Sequence, residues 1–515
     1  MTTPRTRTLA APAIAASAVL AIGLAAWPYT VDDAFVLARY AARLAAGDGW
    51  TMNDGPPTDG VTGPLGLVPG VVAALLGRDP VFASKLTGLL CAALAAALVA
   101  RRAAPFTPIG ALLPLLLASP LLAVWSVAGL ETGVAVLAAS IGAVAALGSV
   151  APDSREGRKG GNEEEEEGEE EEEGRGAGPA TDPATDPDAD SVSASKGARG
   201  RAVALGVSVG CLAWLRPELA PFCLVLLLSL RSHRRWAWGL ALAGAASVVF
   251  FRLSLFGHVL PLAAAAKPAD LGNGFGYVAR ALVVVFGLGG AAPVVLAARE
   301  DPARRPLALA LGAHLVAVAL AGGDWMPGFR LFAPVLPAYA LVASGAVARR
   351  LPGWRGWALL AGATAIPLAS HAFVLPLARD AGEAREEAGA ELADWLAAHG
   401  TRVALVDIGY LGWRSGLEVV DLGGITDPEV ARAPGGHVAK ALDVGWLAAR
   451  DPDLFVLSSR IAPRVSEDGQ LVSFLGHPVE HRVARTAWFR ARYRVARVVR
   501  YSPSTTYVVL ARRGR

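Results

Sequence analysis

Charged residues are scarce in this chain of 515 residues: they make up 18% of it, against roughly 25% in an average soluble protein. The net charge of +3 at pH 7 is too small to predict nucleic acid as a partner. The three cysteines, Cys91, Cys211 and Cys223, all lie in apolar stretches. The sequence therefore predicts neither a disulfide framework nor a cysteine-based metal site. It also contains no glycine-rich phosphate loop, nucleophile elbow or histidine–glutamate metal motif.

The chain contains many long apolar runs. Hydrophobic residues make up 53% of the chain, and the mean hydropathy is +0.42. A run of about twenty apolar residues is long enough to cross a bilayer as a helix. We therefore predict a polytopic α-helical membrane protein with about eleven transmembrane helices. Their approximate ranges are 9–27, 82–100, 107–127, 131–149, 202–215, 218–230, 236–256, 278–297, 306–321, 331–348 and 357–377.

The arginines between these runs predict the orientation. Arg5, Arg7 and the dense clusters at 101–102, 231–235, 299–305 and 349–350 fall on one side, which the positive-inside rule assigns to the cytoplasm. The apolar stretch 64–77 is too short to span, and we interpret it as a re-entrant or interfacial helix of the first outer loop, 28–80. We expect a multi-pass protein of the cell (inner) membrane, with its first outer loop and its C-terminal tail on the outer face.

Two segments are too hydrophilic for the bilayer. The loop 151–200 contains two runs of five glutamates, 163–167 and 169–173, and we expect it to be a disordered cytoplasmic spacer. The tail 378–515 alternates helical patterns with short β-type runs, which predicts an extracytoplasmic α/β domain after a transmembrane catalytic domain, 1–377. The predicted strands are 403–406, 417–420, 454–457, 493–499 and 506–510.

Two adjacent carboxylates, Asp32 and Asp33, follow the first apolar run directly. Acids at that boundary are costly if they face lipid, so we expect them to point into a polar cavity. A carboxylate beside a cation such as Arg39 can accept a hydroxyl proton while the cation holds a phosphate. One aspartate of the pair can instead cap a helix, and the sequence leaves open which of the two does so.

Other predicted outer loops carry further polar side chains. Taken singly, each is explained by snorkelling or by helix capping. Their placement on one side of the membrane predicts a shared cavity. They are Glu131, Arg216, Glu218, Lys267, Asp324, Trp325 and Arg330.

Eight stretches of the chain carry a resemblance to a known family: 32–41, 47–49, 59–65, 125–132, 215–218, 323–330, 407–409 and 421–431. Taken together, they resemble the GT-C superfamily of polyprenyl-phosphate-dependent glycosyltransferases, and within it above all the terminal β-(1→2) arabinofuranosyltransferase-like family. The resemblance covers nearly the whole chain except the glutamate-rich loop.

The resemblance implies an inverting glycosyltransferase at the outer face of the membrane. It would move a sugar, arabinofuranose or another pentose or hexose, from a polyprenyl-phosphate donor to an envelope glycan or lipid acceptor. The resemblance implies that Asp32 is the catalytic base and that Asp33 orients the acceptor. A divalent metal on the two aspartates is the one cofactor that it leaves open. Arg39, Lys267 and Arg330 would bind the donor phosphate, whereas Glu131, Arg216, Glu218, Asp324 and Trp325 would bind the sugar or the acceptor.

Two other classes of function stay open from the sequence. One is a transporter or flippase of envelope lipids, although such proteins often contain inverted repeats and charges at the bilayer midplane. Neither feature is visible in this chain. The other is a non-catalytic paralogue that binds glycans. An assay of sugar transfer separates all three.

Overall fold

The computed structural model describes residues 4–103, 121–150, 187–287, 290–324, 326, 328–350, 354–502 and 504–514. Helices form the described part up to residue 399, and a mixed sheet with short helices follows. The helices before the sheet are α1 Pro4–Ala25, α2 Asp32–Ala46, α3 Val68–Leu75, α4 Pro80–Ala103, α5 Thr132–Val150, α6 Pro187–Leu215, α7 Ala220–Leu228, α8 Arg234–Phe256, α9 Leu262–Ala266, α10 Leu271–Val284, α11 Ala292–Glu300, α12 Arg305–Leu320, α13 Leu336–Arg350, α14 Trp354–Ala384 and α15 Ala390–His399.

Several of these helices have the length and composition of membrane spans. Within the described residues, three can cross a bilayer by these criteria: Pro80–Ala103, Ser195–Leu215 and Arg234–Phe256. Large apolar side chains point outward from them, among them Leu94, 59% exposed, and Phe250, 73% exposed. Such outward apolar faces are typical of contact with lipid tails. Shorter apolar helices include Ala10–Ala25, Thr132–Gly148, Pro217–Leu228, Arg305–Leu320 and Arg330–Ala346.

Glycines allow the helices of the membrane part to pack closely. A Cβ added at Gly133 of α5 would collide with the backbone of Gly88 in α4. Likewise, a Cβ at Gly244 of α8 would collide with Gly210 of α6. Small residues at such crossings let two backbones approach each other, which is how membrane helices gain packing energy. These crossings hold together the bundle on which the cavity described below is built.

Two predicted boundaries differ from the structure. The predicted span 278–297 is divided, because α10 ends at Val284 and α11 begins at Ala292. Gly287, at φ 80, lies in this break, and glycines weaken a helix interior. Helix α6 begins at Pro187, inside the loop 151–200 that we expected to be disordered; proline suits a first helical turn because its missing N–H is not needed there. Residues 151–186 and most of the predicted span 107–127 lie outside the described residues.

The stretch 64–77 is helical and short. A 3₁₀ turn, Pro64–Leu67, leads into α3, which has eight residues and is therefore about 12 Å long. It packs on α2 and α4 and leaves Leu75 and Leu76 more than half exposed. A helix of this length cannot cross a bilayer, which agrees with its interpretation as an interfacial helix.

The C-terminal domain is built from strands and short helices. Its elements are β1 Arg402–Leu405, α16 Tyr410–Ser415, β2 Glu418–Asp421, α17 Pro428–Arg432, α18 Val444–Arg450, β3 Leu454–Ser459, β4 Arg464–Val465, β5 Leu471–Ser473, α19 Pro478–Arg485, α20 Ala487–Arg492, β6 Tyr493–Ser502 and β7 Thr505–Arg512. Five of the strands form one sheet with the order β2-β1-β3-β7-β6. Strand β1 runs parallel to β2 and β3, whereas β7 is antiparallel to β3 and β6. Each of the five predicted strands coincides with one strand of this sheet.

The helical part and the C-terminal domain share a hydrophobic core. Val36 and Met52 of the segment 28–80 lie in one buried cluster with Leu405 of β1 and Val456 of β3. Burying such side chains stabilises by about 1.5–3 kcal/mol each. The domain is therefore packed firmly onto α2, and this packing brings residues from both ends of the chain to one cavity.

Candidate functional site

A cavity of about 500 Å³ lies between the membrane helices and the C-terminal domain. Its wall combines the start of α2, several loops that the sequence predicts on the outer side, and the two loops of the C-terminal domain on either side of α17. Seven of the candidate residues line it: Asp33, Glu131, Arg216, Glu218, Lys267, Asp324 and Arg330. Sequence positions up to about 300 residues apart thus meet in one polar site.

Asp33 lies in the first turn of α2 and faces the cavity. An acid in the first turn of a helix is favoured by the unpaired N–H groups and by the helix dipole. Its Oδ2 lies 3.9 Å from Nη1 of Arg330, and its side chain keeps 24% of its surface exposed. Asp33 is therefore an accessible carboxylate beside a fixed cation.

Arg330 is held by Asp324 on the opposite side. Its Nε lies 2.6 Å from Oδ2 of Asp324. Positive φ angles at Gly328 and Phe329 form the turn that presents the arginine. Burial lowers the pKa of Arg330, but the carboxylates of Asp324 and Asp33 outweigh it and hold the net pKa above the ordinary arginine value. The guanidinium is thus a permanent charge between two acids.

Arg216 organises a second polar group in the same cavity. Its Nε lies 2.8 Å from Oε1 of Glu131, and its Nη1 lies 3.2 Å from Oε1 of Glu218. Nη2 donates to Oγ1 of Thr132 at 2.7 Å. Gly66 approaches so closely that an added Cβ would lie 2.6 Å from the Cβ of Glu131. The first outer loop therefore presses on this cluster and fixes its position.

Lys267 ends the short helix α9 and also lines the cavity. Burial lowers the pKa of Lys267, whereas the nearby carboxylates of Asp33 and Asp324 act in the opposite direction. An anion that enters the cavity would reinforce the charged form of this lysine. Lys267 and Arg330 together give the side of the cavity near Asp33 two cations.

Asp32 does not line this cavity. Its two carboxylate oxygens accept hydrogen bonds from the backbone N–H groups of Gly409 and Tyr410, at 2.8 and 2.9 Å. These groups stand at the start of α16, so Asp32 caps a helix of the C-terminal domain. Successive helical residues point about 100° apart; here Asp33 faces the cavity, whereas Asp32 points to the C-terminal domain. The structure does not place Asp32 where the sequence analysis expected a catalytic base.

Arg39 also lies outside the cavity. It is 8% exposed and donates to the carbonyl oxygens of Met52 at 2.7 Å, Leu417 at 2.8 Å and Gly412. With its donors on backbone carbonyls, the guanidinium joins the first outer loop to the C-terminal domain instead of facing a donor phosphate. Trp325, another candidate, lies outside the described residues.

The two aspartates do not form the metal site that the sequence left open. The oxygens of Asp32 are taken by backbone N–H groups, and only Asp33 faces the cavity. In the described part of the chain, no group of three histidine, cysteine, aspartate or glutamate side chains is placed to hold a metal ion. We therefore derive no step of chemistry through a metal on this pair.

The C-terminal domain adds residues to the cavity that sequence reasoning missed. His437 and Ile425 both line it. The loop of Ile425 is built on Asp421, whose carboxylate accepts from the N–H groups of Gly423, Gly424 and Thr426 at 2.7–2.9 Å. Burial lowers the pKa of His437, and the charge of Lys267 adds to this effect.

One sequence signal for the missed histidine exists. The segment 434–436 reads Pro-Gly-Gly, which is typical of a turn and places His437 directly after the turn. No local pattern indicates that this turn meets the membrane part.

Two of three comparisons with known proteins find a match for this chain. Residues 378–511 match DUF8728, a domain of unknown function. No curated protein matches the chain. The crystal structure of ArnT from Cupriavidus metallidurans, bound to undecaprenyl phosphate, superposes with a TM-score of 0.57 at 14% identity. It covers 96% of this chain and 97% of ArnT.

The fold is similar to that of ArnT. The likeness extends over nearly the full length of both chains, so the two proteins share a fold, and membership of the GT-C superfamily stays a prediction. At 14% identity, the comparison does not show the arabinofuranosyltransferase-like subfamily, the sugar that is transferred or the acceptor. The exact number of spans and the side of the membrane on which the C-terminal domain lies stay predictions.

Proposed function

We propose that this protein is a membrane glycosyltransferase that transfers a sugar from a polyprenyl-phosphate donor to an envelope glycan or lipid acceptor. One observation carries the proposal: Asp33, Lys267 and Arg330 line the same cavity in a fold similar to that of ArnT, whose structure holds undecaprenyl phosphate. The cavity offers a carboxylate that can accept a proton and cations that can bind a phosphate. These are the groups that such a transfer needs.

In this proposal Asp33 is the catalytic base. An inverting displacement needs one base on the acceptor side, not the close pair of carboxylates of retaining hydrolases. The acceptor hydroxyl gives its proton to Asp33 as its oxygen bonds to the anomeric carbon. At the same time the bond from that carbon to the phosphate oxygen breaks, and its electron pair stays with the leaving phosphate.

Lys267 and Arg330 stabilise the leaving group. Negative charge grows on the phosphate as the glycosidic bond breaks, so fixed cations favour the transition state over the ground state. The ion pair with Asp324 holds Arg330 in place, at 2.6 Å, so little reorganisation is needed during the reaction. Lys267 supplies a point charge that adapts to the phosphate.

The second polar group, built on Arg216, Glu131 and Glu218, is proposed to bind hydroxyls of the sugar or of the acceptor. Carboxylates accept hydrogen bonds from hydroxyls, and a guanidinium donates to their oxygens. Asp324 and Trp325 keep their proposed roles at the sugar. We further propose that the cavity opens at the outer face of the inner membrane, as the arginine distribution predicts, with arabinofuranose as one candidate among pentoses and hexoses.

The test is Asp33→Asn in a membrane preparation supplied with polyprenyl-phosphate sugars. Loss of a general base costs about 10²–10⁴-fold in rate, so we expect sugar transfer to fall by at least about a hundredfold. Asp54→Asn is the matched control, because Asp54 is an acid of the same loop with 98% of its side chain exposed. Near-wild-type transfer by Asp33→Asn would overturn the assignment. Mass spectrometry of the co-purified lipid would identify the donor sugar.

A further inference from the structure

A second cavity, of about 460 Å³, lies on the other side of the first turn of α2. It is formed by the segment that follows α1, the start of α4, the segment after α14 and the helix α16 of the C-terminal domain. None of its lining residues lines the first cavity. It is therefore a separate site, and the proposed sugar transfer does not use it.

Arg385 lines this second cavity without an ion-pair partner among the described residues, and the carboxylate of Asp32 acts on its charge only from beyond ion-pair distance. It is 9% exposed, and its Nε is buried without a hydrogen-bond partner. Its guanidinium carbon lies 5.3 Å from the ring centre of Phe35 and 5.8 Å from that of Tyr410. Within the described residues, no carboxylate lies within ion-pair distance of this arginine. A buried cation of this kind is costly unless an anion pairs with it.

Lys85 of α4 supplies a second cation to the same cavity. It is 6% exposed, and its Nζ donates to the carbonyl oxygen of Trp27 at 2.6 Å and to Oγ1 of Thr30 at 2.8 Å. An ammonium group has three donors; two are used in these hydrogen bonds, and the group also lies 4.8 Å from the ring centre of Trp27, so a ligand in the cavity can accept the third N–H. Two acids, Asp79 and Glu386, stand at the rim, and both are exposed to water.

The cavity is also lined by aromatic side chains, which suit the apolar part of a lipid next to its headgroup. Aromatic rings of Trp27, Phe82 and Trp413 line the cavity. Trp27 follows the end of α1, and Phe82 lies in the first turn of α4, at the ends of two apolar helices. Tryptophan and tyrosine are enriched where a membrane meets water. Such surroundings are those expected for a site near the phosphates of a bilayer surface.

We propose that this second cavity binds a phosphate group, held between Lys85 and Arg385. Two sources carry that chemistry: the headgroup of an anionic membrane lipid and free inorganic phosphate. The aromatic walls beside the cations favour the lipid. Its phosphate would accept charge-assisted hydrogen bonds from both side chains and would satisfy the buried guanidinium.

The test measures binding to the purified full chain in detergent by the ligand-dependent rise of the melting temperature. The probes are dioctanoyl phosphatidylglycerol, inorganic phosphate, and dioctanoylglycerol, which has the same chains and no phosphate. We expect phosphatidylglycerol to bind, and Lys85→Gln or Arg385→Met to weaken it about tenfold or more. Arg414→Gln is the matched control, because Arg414 lies on α16 with 44% of its side chain exposed and pairs with Asp394.

The outcomes separate the sources. Binding of phosphatidylglycerol alone identifies the lipid, and equal binding of inorganic phosphate identifies free phosphate. Binding by neither probe, or equal binding by wild type and both variants, would overturn the proposal. Binding of dioctanoylglycerol as tightly as of phosphatidylglycerol would overturn it as well.

A second measurement, the melting temperature without ligand, distinguishes a loss of binding from a folding defect. Because Arg385→Met removes an unpaired buried charge, the ligand-free variant should melt at the same temperature as wild type or higher. A large fall in its ligand-free melting temperature would show that Arg385 serves the fold and not a ligand.

Discussion

Asp32→Asn is the substitution that best separates the two adjacent aspartates. In the structure Asp32 caps α16 of the C-terminal domain, whereas Asp33 faces the cavity. Asparagine is the neutral isostere of the protonated acid and keeps one oxygen for the backbone N–H groups. We therefore expect Asp32→Asn to keep sugar transfer and to change the pH dependence of stability.

The magnitude follows from the titration of Asp32. Burial against the C-terminal domain is the largest effect on the pKa of Asp32, and the nearby carboxylate of Asp407 adds to it. Together they raise this pKa from the ordinary 3.8 to about 6, although the hydrogen bond from the N–H of Tyr410 acts in the opposite direction. Since the folded-state pKa lies above the unfolded one, this group contributes stability that is complete below pH 3.8 and is lost as the pH rises through about 6. The difference corresponds to at most about 3 kcal/mol.

The variant loses this contribution of Asp32 to the pH dependence, but its amide nitrogen cannot accept the second backbone N–H, which costs about 1–3 kcal/mol at every pH. Relative to wild type, the variant should therefore gain up to about 3 kcal/mol of stability between about pH 4 and pH 7. Tryptophan fluorescence of the purified protein, followed during heating across this pH range, measures the difference. The reasoning fails if both proteins show the same dependence of stability on pH between about pH 4 and pH 7. Loss of sugar transfer in a stable Asp32→Asn variant would return the role of base to Asp32.

Two further predictions concern other parts of the chain. Because burial lowers the pKa of Lys267, this cation is lost at a lower pH than an ordinary lysine, so donor affinity should fall as the medium becomes alkaline. Lys267→Arg should remove that fall, which the pH profile of KM for the donor measures; an unchanged profile would contradict the role. Gly133→Ala should destabilise the protein by more than about 2 kcal/mol through its collision with Gly88, seen as a lower Tm. Gly312→Ala, whose added Cβ meets no neighbour, should be neutral or slightly stabilising, and equal effects of the two would refute the packing argument.

Local sequence patterns predicted much of the C-terminal domain. Runs such as 454–457 and 506–510 are rich in β-branched and aromatic residues between turn signals, and each coincides with a strand. The charge pattern also predicted that acids and cations of distant loops share a cavity, because buried charge at a membrane surface must be collected in a polar site. The break between α10 and α11 escaped prediction, since hydropathy averages over a glycine such as Gly287.

The use of each polar side chain was less predictable. Asp32 and Asp33 are chemically identical neighbours. Only the position of the start of α16, 377 residues later in the chain, decides which of the two carboxylates accepts its backbone hydrogen bonds. Arg39 looked like a phosphate ligand because it lies near the acids, but its partners include Leu417. Contacts between the two ends of a chain leave no periodic signal in either end, so neither assignment followed from local patterns.

Asn53 of the first outer loop has a consequence for how the sheet is protected. Its amide donates to the carbonyl oxygen of Val419 at 2.8 Å and accepts from the N–H of the same residue at 2.9 Å. Val419 lies in β2, an outer strand of the sheet, and a bare outer strand is a template for pairing with another chain. A single side chain thus imitates a neighbouring strand. The segment 28–80, which also carries Asp33, thereby occupies backbone groups that an added strand would need.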